Sequence, residues 1–138
     1  MEPEVLFLLL CEDVRTTALS HHRIDVLGVI TSIRPVAEPA FPVRQPLFCV
    51  LAVLTGSKGT GELAIRIRHH RTDQVVFRSA RRVVRFVGDP EAVLGVVFRV
   101  KNCAFPLEGL YWLELTFARS IIARQRLWLR TGDGYATP

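Results

Sequence analysis

Residues 105–130, FPLEGLYWLELTFARSIIARQRLWLR, form two alternating runs of apolar and polar residues around a short polar break. A period of two is typical of β-strands that bury one face. The stretch therefore predicts the closing hairpin of an antiparallel sheet, with strands at 109–118 and 121–130 and a turn near Arg119. The residues expected on the core face are Tyr111, Leu113, Leu115 and Phe117 of the first strand and Ile121, Ala123, Leu127 and Leu129 of the second.

The same alternation puts Trp112 and Trp128 together on the opposite face, as direct or diagonal neighbours. Arginines that cover the two rings would make this a local structural cluster. Two exposed tryptophans beside arginines also have the composition of an interface hot spot. We therefore predict contact with a second copy of the chain through a two-fold axis, or with another protein. The candidate interface residues are Trp112, Trp128, Arg124, Arg126, Arg130 and Ile122.

Period-two segments recur along the rest of the chain between glycine and proline breaks. In ELAIRIRHH, for example, Leu63, Ile65 and Ile67 should point inward. No segment has a convincing helical period. The expected strands are 4–12, 23–34, 47–55, 62–70, 74–79, 82–87, 93–102, 109–118 and 121–130, with the proline-rich residues 34–46 as one long connection across an end or an edge of the sheets.

Eight or nine short strands in a chain of this size indicate a sandwich or a barrel. Gly109 followed by Tyr111 at the start of the penultimate strand resembles the tyrosine corner of immunoglobulin-like and fibronectin-like sandwiches. That resemblance implies an all-β, immunoglobulin-like antiparallel β-sandwich of eight or nine strands. It also implies that Tyr111 is buried and that its hydroxyl bonds to upstream backbone. Leu113 stands where some such domains have a cysteine.

The layout of LLCEDVR, IDVLGVITSIRP, VFRSARRVVRF and the closing hairpin is similar to a family of uncharacterised bacterial proteins classed as a domain of unknown function. The resemblance covers about residues 5–130. It implies a β-sandwich and a bacterial cytosolic origin. It implies no activity, so no functional residue is carried over from it.

The chain of 138 residues is long enough for one domain, which we place at 1–130 with a flexible tail at 131–138. Its longest apolar run, residues 5–11, is too short to cross a bilayer, and the start Met1-Glu2-Pro3-Glu4 lacks the basic residues of a secretory signal. We therefore expect a cytoplasmic protein without membrane contact. Three cysteines, far apart in the sequence and each within apolar residues, are expected to be reduced and buried.

The net charge is +5, and because only two of the 18 basic residues are lysines, 16 are arginines. Six of the arginines alternate along successive strands and could form one basic face for nucleic acid or another polyanion. No aromatic residue falls between them to stack bases, so this function is the less favoured alternative. Arginines on exposed strands also discourage edge-to-edge association and cover apolar surface. The six residues are Arg66, Arg68, Arg78, Arg82, Arg85 and Arg99.

Motifs for catalysis are weak. TGSKGTGE lacks the spacing of a phosphate-binding loop and is predicted to be a hairpin loop. The adjacent histidines at 21–22 and 69–70 point to opposite strand faces, which favours solvated or half-buried roles over metal binding. Cys11 has no recognisable partner that would activate it. We therefore predict no catalytic, cofactor or metal site, and a non-catalytic interaction or assembly module.

Overall fold

The computed structural model describes residues 2–17, 20–36 and 38–131. Over these residues the chain is all-β, with no helix of the length and apolarity needed to cross a membrane. The predicted tail falls mostly at 132–138, outside the described residues. The strands are β1 (Glu4–Thr17), β2 (Ser20–Val29), β3 (Ser32–Ile33), β4 (Val43–Thr55), β5 (Lys58–His69), β6 (Val75–Arg78), β7 (Arg82–Val87), β8 (Val93–Phe105), β9 (Gly109–Phe117) and β10 (Ser120–Leu129).

The strands form two sheets packed face to face, as the sequence predicted. One sheet has four strands in the order β2-β1-β4-β8. The other has six, in the order β3-β10-β9-β5-β6, with β7 also paired to β5. Strand pairs are antiparallel except for β3 with β10, which pair in parallel over two residues. The sequence predicted one strand at 23–34, whereas β2 and the short β3 are separate, so the described residues contain ten strands.

The core lies between the sheets and follows the alternation of the strands. Leu63, Ile65 and Ile67 of β5 are buried there, as predicted, and Leu113 and Leu115 of β9 face the same interior. Phe48, Val50 and Val100 meet them from the four-stranded sheet. Because a pleated strand turns every second side chain inward, this one core fixes which residues face outward.

Tyr111 forms the predicted tyrosine corner at the start of β9. Its side chain is fully buried, and its hydroxyl donates a 2.7 Å hydrogen bond to the Leu107 carbonyl. The Leu107 amide donates back to the same hydroxyl at 3.2 Å. The ring also packs edge-on against Phe105 and His69. These contacts tie the loop before β9 to the core and set where the strand begins.

The glycine-rich loop differs from the prediction. β4 belongs to the four-stranded sheet and β5 to the six-stranded sheet, so the connection crosses between sheets and does not close a hairpin. It is also shorter than predicted, because β5 already begins at Lys58 and includes Gly59 and Gly61. The proline-rich segment after β3 connects the two sheets, but it is shorter than the predicted 34–46 because β4 already begins at Val43.

The β1–β2 hairpin bends over the outer face of its own sheet. β1 pairs with β4 only as far as Cys11 and with β2 from Cys11 onward, and the hairpin beyond Cys11 packs on β4 and β8. Val14 and Val26 pack on Leu51 and its neighbours in a separate apolar cluster. The Cδ1 of Ile24 lies 2.9 Å from the position that a Cβ on Gly95 would take, so the hairpin approaches β8 closely at this glycine. The hairpin therefore covers the part of this face around Leu51, whereas Phe7 and Leu47 stay exposed.

All three cysteines are buried and free, in agreement with the prediction. Cys11 and Cys49 are directly opposite each other on β1 and β4, beneath the hairpin layer. Cys103 lies in the main core. Burial raises the pKa of Cys11 and of Cys103 from 9.0 to about 11, so both are neutral thiols near pH 7.

Candidate functional site: an arginine and tryptophan face

The outer face of the six-stranded sheet carries two rows of polar and aromatic side chains across β5, β9 and β10. In the first row Arg68, Trp112 and Arg126 are cross-strand partners. In the second row the partners are Arg66, Glu114 and Arg124. Paired residues in an antiparallel sheet point to the same side. With two neighbours at the end of β10, these residues define the arginine–tryptophan face: Arg66, Arg68, Trp112, Glu114, Arg124, Arg126, Trp128 and Arg130.

The two tryptophans are diagonal neighbours, as expected, because Trp112 pairs with Arg126 and Trp128 lies two residues further along β10. Arginine guanidinium groups lie over both rings. The Cζ of Arg124 is 4.4 Å from the centre of the Trp112 ring, and that of Arg130 is 4.3 Å from the centre of the Trp128 ring. The rings are consequently half-buried, although they lie on the outer face.

A β-bulge removes Ile122 from this face. The register of β10 shifts between Ile121 and Ala123, so two residues of β10 oppose one of β9. Ile122 then packs against the core, whereas Ile121 is 44% exposed beside Thr116. The prediction reversed these two isoleucines because simple alternation cannot register an inserted residue.

Trp112 is also held in place through its indole nitrogen. Nε1 donates a 2.9 Å hydrogen bond to Nδ1 of His70, which follows β5. The Cζ of Arg126 lies 5.7 Å from the ring centre, on the next strand. The ring therefore has fixed neighbours on both sides, and these contacts within the chain set its orientation.

Glu114 lies at the centre of the face with no exposed surface. Its Oε1 accepts hydrogen bonds from Nε of Arg66 at 2.7 Å and from Nε of Arg68 at 3.0 Å. Burial alone would raise the pKa of this carboxyl, but the bonds from Arg68 and Arg66 outweigh burial and lower it. Glu114 is therefore ionised at neutral pH. Its Oε2 receives no hydrogen bond from any described residue.

The importance of Glu114 was not visible in the sequence. The residue appeared there only as one of the neighbours of the tryptophans. Its burial depends on β5 lying beside β9, which brings Arg66 and Arg68 from 48 and 46 residues away. The one available signal was a lone acidic residue between aromatic and apolar positions of a strand.

The six arginines proposed as a polyanion face do not form a single surface. Arg66, Arg68 and Arg78 share the outer face of the six-stranded sheet, and Arg85 is exposed at its far end on β7. Arg82 instead lies over the ring of Phe98 and donates a hydrogen bond to the Val97 carbonyl on the other sheet. Arg99 is on the outer face of the four-stranded sheet, where it contacts Cys49 and Asp13. The alternation of apolar and polar residues predicts the polar side of each strand but not which strands are neighbours in a sheet.

Of the histidines, His69 is buried and His70 is exposed, so the predicted alternation holds but a half-buried or solvated role for His69 is wrong. Its Nδ1 accepts from the amides of Arg71 and Thr72, and its Nε2 lies 3.0 Å from the Glu108 carbonyl. These bonds favour the neutral tautomer protonated on Nε2. The side chains of residues 21–22 lie outside the description, and the described residues contain no group of three or more metal-ligating side chains.

The residues therefore define an antiparallel, immunoglobulin-like β-sandwich with a tyrosine corner and one basic, tryptophan-bearing outer face. The chain belongs to a family of unknown function, DUF6941, whose model matches residues 6–128. No curated protein matches the chain. A solved structure of an immunoglobulin-like protein from Pseudomonas aeruginosa is similar over 94% of this chain and 98% of that one, with 12% sequence identity and a TM-score of 0.41.

Proposed function

We propose that this protein is a non-catalytic interaction module of a bacterial cytoplasm, and that it binds the acidic surface of another protein through the arginine–tryptophan face. The observation that carries the proposal is the pair of half-buried tryptophans, each beneath a guanidinium group, on a face that no described segment covers. Aromatic and arginine side chains that are already ordered lose little entropy on binding. The three free, buried cysteines support a location in the reducing cytoplasm.

The charge of the face favours an acidic partner. Five arginines belong to it, against the single carboxylate of Glu114. A two-fold contact between copies would place these arginines against their own equivalents, and like charges across an interface oppose association. Another protein with carboxylates around an apolar centre is therefore a better match than a second copy of this chain.

Glu114 supports binding by holding two of the arginines in place. Both bonds come from Nε, so the terminal nitrogens of Arg66 and Arg68 can bind other carboxylates. One such bond already exists, from Nη1 of Arg68 to Oδ1 of Asp73 at 2.8 Å.

Single-stranded nucleic acid is the second candidate. Arg66, Arg68 and Arg78 lie on the same sheet face as Trp112 and Trp128, so aromatic rings that the sequence seemed to lack do accompany these arginines. Stacking of bases on such rings is sequence-tolerant and salt-dependent. It is less favoured because arginines already lie over both indoles, and bases would have to displace them.

The test compares two labelled probes, a poly-glutamate peptide of about 20 residues and a 20-nucleotide oligothymidine, by fluorescence anisotropy at about 150 mM salt. We expect the peptide to bind and the charge-reversed variant Arg124→Glu/Arg126→Glu to lose at least about tenfold in affinity. Trp112→Ser/Trp128→Ser should also bind more weakly. The control Val83→Ser/Val87→Ser changes exposed residues of β7 in the same sheet and should bind as the wild type does.

Tighter binding of the oligonucleotide, with a steep dependence on salt, would favour the nucleic-acid function instead. Sedimentation of the wild-type protein at about 100 μM tests whether the chain associates with itself. A wild-type dimer that Trp112→Ser/Trp128→Ser converts to a monomer would show that the partner is a second copy. Peptide binding that is equal in all variants would refute a role for this face.

A further inference from the structure

A second group of arginines surrounds a cleft next to the arginine–tryptophan face. The cleft has a volume of about 290 Å³ and lies where β6 and β7 leave a gap beside β5. Ser79 and Thr116 contribute to its wall. The charged residues that line it are Arg66, Arg78, Arg81 and Arg119.

Four separate parts of the chain supply these arginines. Arg66 and Arg78 are direct cross-strand partners on β5 and β6. Arg81 lies in the segment between β6 and β7, which Ser79 fastens to β5: its Oγ accepts a hydrogen bond from the Ile65 amide, and its amide donates to the Ile65 carbonyl, both at 2.9 Å. The gap is therefore built into the sheet by specific bonds.

Arg119 reaches the cleft from the tight turn between β9 and β10. Ala118 and Arg119 have φ angles of 48° and 73°, the left-handed values that a two-residue hairpin turn requires. Asparagine and glycine normally fill such positions because other residues are strained there. An arginine at this position is unfavourable for the turn alone, so its place beside three other arginines points to a role in binding.

The cleft carries more positive charge than the described residues neutralise. Arg66 pairs with Glu114, and Arg81 lies 3.9 Å from Glu62. No carboxylate of the described residues pairs with Arg78 or Arg119. Four guanidinium groups and two carboxylates leave a charge of two, and like charges placed directly opposite on neighbouring strands are destabilising without a counter-ion.

We propose that this cleft binds the phosphate group of a small phosphorylated compound, at a site that shares Arg66 with the neighbouring protein-binding face but does not include the tryptophans. A phosphate ester carries a charge of about −1.5 to −2 at neutral pH, which matches the uncompensated charge. Guanidinium groups bind phosphate oxygens through paired hydrogen bonds, and four that converge from different directions can surround one tetrahedral group. The volume leaves room for a small organic substituent beside the phosphate.

The first experiment is isothermal titration of the wild type with inorganic phosphate, adenosine monophosphate and adenosine, at constant ionic strength. We expect both phosphates to bind and adenosine not to bind. Arg78→Gln/Arg119→Gln should bind them about tenfold more weakly or not at all. The matched control, Arg44→Gln/Arg85→Gln, removes two exposed arginines that do not line the cleft and should leave affinity unchanged.

A second variant separates binding from folding. Arg119→Gly supplies the residue that the turn prefers, so it should raise the unfolding midpoint and still weaken phosphate binding. Misfolding cannot produce both results. Phosphate affinity unchanged in Arg119→Gly and in Arg78→Gln/Arg119→Gln would overturn the proposal, as would an equal loss in the control, which would indicate only diffuse attraction.

The comparison between the two phosphates identifies the source of the group. Tighter binding of adenosine monophosphate indicates a phosphate ester, and equal binding indicates the free anion; both results support the phosphate site. Trp112→Ser/Trp128→Ser should bind phosphate as the wild type does. Failure of the protein-binding proposal and failure of the phosphate proposal are therefore distinguishable.

Discussion

The outer faces of the two sheets differ in their residues and in how far the chain covers them. On the four-stranded sheet, apolar residues such as Leu51 point outward and the β1–β2 hairpin folds over them. On the six-stranded sheet, the outward residues are arginines and tryptophans around one buried carboxylate. The first face behaves as a small second core, whereas the second is organised by ion pairs and ring contacts and stays open over the described residues.

The largest effect is expected on the covered face. Leu51→Ala should lower the free energy of unfolding by about 2 to 5 kcal/mol, because it leaves a cavity beneath the hairpin layer. Urea denaturation followed by tryptophan fluorescence measures this. The control Val83→Ala, at a site 68% exposed on the other sheet, should change stability by less than about 0.5 kcal/mol. Equal, small effects would show that the hairpin does not pack as a core layer.

On the open face, Glu114→Gln should destabilise the protein by about 2 to 3 kcal/mol, because two charge-assisted hydrogen bonds lose their acceptor charge. The loss depends on pH. Because the pKa of Glu114 is lowered on folding, its stabilisation is present above its ordinary value of 4.5 and disappears as the pH falls through the folded value. The gap between variant and wild type should therefore narrow under acid. A gap independent of pH would show that the ion pairs contribute nothing.

Tyr111→Phe tests the contact that positions β9, the central strand of the open face. The variant removes the hydroxyl that exchanges two hydrogen bonds with Leu107, and we expect a loss of about 1 to 2 kcal/mol. Phe105→Tyr, a matched change in the neighbouring ring, places an unsatisfied hydroxyl in the core and should also destabilise. Thermal denaturation of both variants gives the comparison. A neutral Tyr111→Phe would remove the tyrosine corner as a stabilising feature.

The smallest expected effect is a difference in the rates at which cysteines of the two apolar clusters react with a thiol reagent. At pH 8 all three thiols should react slowly with a thiol reagent until denaturant is added, because burial holds the pKa of Cys11 and Cys103 at about 11. Cys11 and Cys49 should still react before Cys103, since local opening of the hairpin requires less free energy than opening of the main core. Mass spectrometry after timed labelling gives the order. Cys103 reacting first would mean that the hairpin layer is the more stable of the two.

Most of the strands could be predicted because their cause is local. The alternation in ELAIRIRHH and in the closing hairpin follows from the pleat of a strand with one solvent-exposed face, so the predicted inward residues were correct except for Ile121. Failures occurred where one residue changes the period or where a connection changes sheets. Ile122 is the extra residue of a bulge, and the segment around Gly59 joins two sheets instead of closing a hairpin.

The sequence by itself determined the strands, their buried sides and the tyrosine corner, because the pleat period and the Gly-x-Tyr spacing act over a few residues. Only the tertiary structure decided which strands are neighbours. That choice put Glu114 beneath Arg66 and Arg68, folded the first hairpin over Leu51 and brought Arg119 to the cleft. Such contacts join residues far apart along the chain, and they depend on strand order and register, which the packing of the whole core selects and local periodicity does not encode.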